Sequence, residues 1–158
     1  MLHPGRGTHH CVRRRRPDAL ARRPTSRDAA SYLTLAGVAA FTVAAVTGPA
    51  FSHPDYSSLA HTTSELAGQS MPNAWIMRSG FMVFGVCVAL AAALRLQLRP
   101  LTAAPLILFG AAMTAAAIWS NAPIDRAVGH SVREDQIHSI AASFMGLAFA
   151  AACTGRLW

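Results

Sequence analysis

Four long apolar stretches without charge divide the chain. The first covers residues 29–51, 23 positions. The second, residues 79–94, has only 16, but it widens to 75–98 if Arg78 and Arg95 extend their stems to the membrane surfaces. The third covers 100–124 and the fourth 136–155, with 25 and 20 residues. About 20 apolar residues in a helix span the hydrocarbon layer of a bilayer. Strands with open edges would leave backbone groups unpaired in lipid, so the pattern predicts helices. The expected spans are 29–51, 75–98, 101–123 and 137–156. The fold class expected is all-α, a transmembrane four-helix bundle of up-and-down topology.

Small residues recur at every fourth position in these stretches. They are Ala36, Ala40, Ala44 and Gly48 in the first, and Gly85, Ala89 and Ala93 in the second. The third has Ala112, Ala116 and Ser120; the fourth has Ala142, Gly146, Ala150 and Thr154. Between helices in lipid such stripes allow close backbone approach, so each is expected to face the bundle. Pro105, one turn into the third helix, is expected to bend it slightly.

Charge then orients the pattern. All 14 basic residues are arginine, and eight of them precede residue 28. That segment, residues 1–28, is broken by Pro4, Pro17 and Pro24 and predicts a disordered cytoplasmic tail. The net charge of +7 therefore belongs to a tail, and it is no sign of a nucleic-acid-binding face. The connection 52–77 holds no Lys or Arg, whereas the next holds Arg95 and Arg99. In the third, Arg126 and Arg133 are offset by Asp125, Glu134 and Asp135. Positive-inside bias puts both termini and the second connection in the cytoplasm, with the first and third connections outside. The first stretch is too long for the core of a secretory signal, and Gly48-Pro49-Ala50 is a poor cleavage site. The localisation expected is a plasma membrane, multi-pass.

Cys11, Cys87 and Cys153 show no regular spacing, and the latter two read as small apolar side chains within spans. Trp75, Trp119 and Tyr56 fall at expected outer boundaries and Trp158 at the inner one, where amphipathic rings sit.

Candidate chemistry lies almost wholly on the expected outer side. Ser57 or Ser58 can cap a short helix ending before Gly68, with a capping-box spacing inside it at Thr62 to Glu65. On that helix Leu59, Thr63 and Leu66 share one face, and His61, Ser64 and Glu65 the other. His61 and Glu65 at i, i+4 could hold a metal, or form a base and its orienter beside a Ser64 nucleophile. The competing reading is a solvated helix face. His138 lies in line with the stripe beginning at Ala142 and is expected to point into the bundle, with Asp125 at the same depth as its partner. An ionisable group inside a membrane is a site hypothesis by default. The competing reading is a histidine bonded to a neighbouring carbonyl.

These residues carry a resemblance. Ser64-Glu65-Leu66, Gly80-Phe81, Pro123-Ile124-Asp125 and His138 resemble the pattern of the domain-of-unknown-function 998 family, prokaryotic polytopic membrane proteins. The resemblance covers about residues 31–151 and implies an inner-membrane protein of unestablished activity. The family usually has six spans, so this chain would lack the last two. Two functions fit these expectations. The first is a non-catalytic module that binds lipid, senses envelope state or supports a partner, with the bilayer and a homo-oligomer or other membrane protein as partners. The second is an outer-face hydrolase in which His61, Glu65, Asp125 and His138 hold a metal, or Ser64 attacks with a histidine base.

Overall fold

The computed structural model describes residues 25–155. The tail before residue 25 and Trp158 lie outside the described residues. The chain forms α1 (Ser26–Thr47), a 3-10 turn (Gly48–Phe51), α2 (Thr63–Leu66), α3 (Trp75–Ala93), α4 (Pro100–Ile118) and α5 (Val132–Thr154). There is no strand among the described residues. Four of these helices are long and apolar enough to cross a membrane.

The helix starts follow local capping chemistry. Thr25 and Asp28 form a capping box, so α1 begins three residues before the apolar run, within the segment assigned to the tail. Pro100 occupies the first turn of α4, where its missing N–H costs nothing. Ser131 caps α5, and Glu134 and Asp135 in its first turn suit the positive helix end. Charged residues therefore open this helix, and it starts four residues before its apolar run.

Antiparallel pairing of successive helices follows from specific contacts. A Cβ on Gly37 would lie 2.9 Å from Cys87 Cβ, and one on Gly80 would lie 2.6 Å from Ala44 Cβ. Gly85 meets the backbone of Gly110 and Thr114 across α3 and α4. Phe109 of α4 lies 6.0 Å from Phe149 of α5, and Gly155 lies against the Leu101 backbone. A chain of rings, Phe41–Phe84–Phe109–Phe149, links all four long helices.

Packing runs in the order α1, α3, α4, α5, and α1 and α5 share no substantial interface. The bundle is thus open on one side, and its two edge helices are the least buried. Ile140, Phe144 and Leu147 stand outward on α5, as do Val43 and Val46 on α1. Such side chains are at home against lipid.

The small-residue stripe predicted for the last span needs correction. A Cβ on Gly146 would meet nothing within 4 Å, and Ala150 and Thr154 are exposed. The packed face of α5 is instead His138, Ala141 and Ala152, with half-buried Met145 between them. Cys87 packs against Gly37 as a small apolar group, whereas Cys153 is exposed on α5 rather than buried.

Candidate functional site

The polar side chains singled out by sequence gather at the end of the bundle formed by residues 48–74 and 119–131. Almost all of them are bound to backbone. Thr62 has extended backbone and is the true N-cap of α2, so the capping box predicted inside a longer helix is the start of a one-turn helix. Glu65 Oε2 accepts the Thr62 N–H at 2.6 Å and the Thr62 hydroxyl at 3.1 Å, while Glu65 N–H donates to Thr62 Oγ1. Residues 57–61 form a separate turn in which His61 N–H donates to Ser57 O. His61 Nδ1 accepts the Ser57 N–H at 3.0 Å, and its ring stacks on Tyr56 with centroids 5.6 Å apart. The Tyr56 hydroxyl donates to Thr62 O, and partial burial raises its pKa above the ordinary tyrosine value, which preserves that donor.

The shared face expected for Leu59, Thr63 and Leu66 is therefore absent. Leu59 is fully exposed, while Leu66 is buried against Gly48 and joins a core cluster with Met77, Phe81 and Met113.

Two residues hold this end together, Gln69, which sequence reasoning passed over, and Arg78, which it gave another role. Gln69 uses its backbone and its whole side chain. Its N–H donates to Asn121 O at 2.8 Å, and its Nε2 donates to Ser120 O and Ser131 O. Its Oε1 accepts the Ser131 N–H at 2.7 Å. The first connection is thus tied to the end of α4 and the start of α5. Arg78 donates from Nε to Ala67 O and from Nη2 to Gly68 O, at 2.9 and 3.1 Å. Its guanidinium satisfies the carbonyls that follow α2, where sequence suggested a free reach to the membrane surface. Neither role has a spacing signature, because both depend on which loop lies opposite. Asn73 takes a left-handed backbone (φ 53°), a conformation asparagine tolerates, and its amide donates to Phe51 O.

Around α5 the acids work in the same way. Asp135 accepts the Ala122 N–H at 2.8 Å, and Glu134 receives the Ser120 N–H at 3.5 Å. Asp125 accepts the N–H of Ala127, two residues on, in an exposed turn. His138 is 3% exposed, and its Nδ1 lies 3.2 Å from Ala116 O and 2.9 Å from Trp119 O. Carbonyl oxygens only accept, so the Nδ1 proton is fixed by this geometry. The imidazole serves the last carbonyls of α4, groups that a helix end leaves without intrahelical partners. Its partner is backbone, as in the competing reading, and Asp125 is engaged elsewhere.

Two buried polar atoms, His138 Nε2 and Ser120 Oγ, have no hydrogen-bond partner among the described residues. Ser120 was noted from sequence only as a small residue. Among the described residues no three His, Cys, Asp or Glu side chains come together as a metal-holding group. No hydrogen bond or ion pair joins any two of His61, Ser64, Glu65, Asp125 and His138. The arrangement does chiefly one thing: it pairs the exposed backbone of two connections and of the helix ends beneath them.

A family model described as "Protein of unknown function (DUF998)" matches residues 34–157. No curated protein and no solved structure matches the chain.

Proposed function

Because the chain belongs to the DUF998 family, proteins of unknown function, and four of its helices are long and apolar enough to span a bilayer, we propose that it is a non-catalytic membrane module. The observation that carries this reading is the engagement of the candidate catalytic groups. Glu65 Oε2 is tied into a capping box, His61 Nδ1 into a turn, Asp125 Oδ1 into its own loop and His138 Nδ1 to the end of α4, and none of the four is bonded to Ser64 or to another of the set. A general base or metal ligand needs a lone pair open to substrate or ion. The bundle instead offers a stitched end and two open apolar edges, α1 and α5, which suit lipid or a second membrane chain. In this reading the arginine-rich end lies in the cytoplasm of a prokaryote and the stitched end faces outward, following the arginine bias.

One observation favours the hydrolase reading. A histidine whose Nδ1–H is held by carbonyls presents a bare Nε2 in its neutral form, the arrangement used by metal ligands and general bases. Its burial, and that of the neighbouring Ser120, argues for a structural use. Detergent-purified protein, wild type and His138→Ala, decides between the two. The expected result is no fluorophosphonate adduct at Ser64 or Ser120 and no metal whose content falls in the variant. A labelled serine, or stoichiometric metal that disappears with His138, would overturn the non-catalytic reading.

A further inference from the structure

We propose that the cleft between α1 and the segment following α3, at the end opposite the stitched loops, binds the headgroup phosphate of an anionic glycerophospholipid through Arg95. The cleft has a volume of about 320 Å³ and is lined by Ser31, Thr34, Leu35 and Arg95. Arg95 crosses the gap, and its Nη2 donates to Ser31 Oγ at 3.1 Å. Ser31 in turn donates to Arg27 O, so its oxygen is held in place to receive the guanidinium. Arginine has five side-chain N–H donors, and the Ser31 bond is the one hydrogen bond the Arg95 side chain makes among the described residues.

No carboxylate takes the rest. Asp28 is the one acid at this end among the described residues, and its Oδ2 turns back onto the Thr25 N–H and hydroxyl at 2.9 and 2.8 Å. A partly fixed guanidinium fork without a counter-ion is matched by a phosphate diester, which accepts two parallel N–H bonds.

An apolar feature selects a lipid over free phosphate. Leu35, one turn deeper along α1, lines the same cleft and is 65% exposed, which gives an acyl chain an apolar wall directly below the guanidinium. The end also carries positive charge that adds to the pull on an anionic headgroup: Arg27 lies in the first turn of α1, and Arg99 follows Arg95 by four residues. Such juxtamembrane clusters draw anionic headgroups.

The inference deepens the lipid-facing side of the function proposed above and rests on it. Native mass spectrometry on the full chain, released from micelles of equal phosphatidylglycerol and phosphatidylcholine, tests it. Wild type should retain phosphatidylglycerol about tenfold in preference, the scale of one charge-assisted hydrogen bond. Arg95→Gln should bring retention near parity, and Arg99→Gln, outside the cleft, should keep the preference. Ser31→Leu, which fills the cleft from α1, should match Arg95→Gln and serves if that variant fails to fold. Equal retention by wild type would overturn the proposal, as would an equal loss in Arg99→Gln. Displacement of the lipid by millimolar inorganic phosphate would overturn the lipid assignment. None of these outcomes alters the serine-labelling or metal results, so this inference and the non-catalytic reading fail separately.

Discussion

Gly110→Leu should destabilise the protein by about 3 kcal/mol, the upper range for overpacking, and lower its unfolding midpoint in mild detergent. At this crossing α3 and α4 touch backbone to backbone. A Cβ on Gly110 would meet Gly85 O, and it would lie 2.7 Å from Ala89 N and 2.9 Å from Ala89 Cβ. A Cβ on Gly85 would lie 2.6 Å from Gly110 O and 2.8 Å from Thr114 N. Main chain cannot swing aside as a side chain can, so the helices must separate and lose contact along their length. In lipid that dispersion contact is most of what holds two apolar helices together. Gly146→Leu provides the contrast, because nothing lies within 4 Å of a Cβ there. It should leave the midpoint unchanged. Equal effects from the two substitutions would show that the packed faces are wrongly assigned.

His138→Ala should cost about 2–4 kcal/mol, combining a lost buried hydrogen bond with a cavity. The Ala116 and Trp119 carbonyls would lose their donor in a place water reaches poorly. Amide exchange should accelerate first in residues 119–131, which the imidazole anchors to α5. Ser120→Ala should change stability by no more than about 0.5 kcal/mol despite 1% exposure, because the Ser120 hydroxyl makes no bond that could be lost. Denaturation of both variants in detergent, with hydrogen exchange on the first, checks the pair. A silent His138→Ala would remove the histidine from its assigned role.

How much of this the sequence disclosed depends on the kind of signal. The four spans were legible because lipid demands long uncharged helices, a coarse and nearly local requirement. Which face of each helix packs was partly misread. A step of four residues advances roughly 400°, so a stripe at that spacing drifts roughly 40° per step around a straight helix. Starting from His138, it has rotated away from the bundle before Thr154. The buried positions instead recur at seven: Ala30, Gly37 and Ala44; Ala103, Gly110 and Ala117; and His138 and Ala152 on either side of half-buried Met145. A seven-residue step drifts only about 20°, which a slight supercoil corrects. Small-residue spacing marked permissive positions, and heptad spacing marked the occupied ones.

The site divides along similar lines. His138 was found because an ionisable group within an apolar run is conspicuous, and its burial agrees with its placement in the bundle. The capping box at Thr62 and Glu65 was also legible, though as an internal feature of a longer helix. Gln69 and Arg78 were not, since nothing in the neighbouring sequence reveals that Asn121, Ser131 or the end of α2 lies opposite. Long-range bonds from side chain to backbone have no period, and they appear only once loops are placed.

In the proposed arrangement these four helices cross a bilayer with the stitched loops and the arginine-bearing connection on opposite faces. Substituted-cysteine labelling tests it most directly, in a chain whose Cys11, Cys87 and Cys153 are changed to serine and which carries Ser58→Cys or Leu98→Cys. With a membrane-impermeant maleimide, position 58 should react in intact cells and position 98 only after lysis. Reaction of both positions from the same side, or of position 98 from outside alone, would contradict this arrangement.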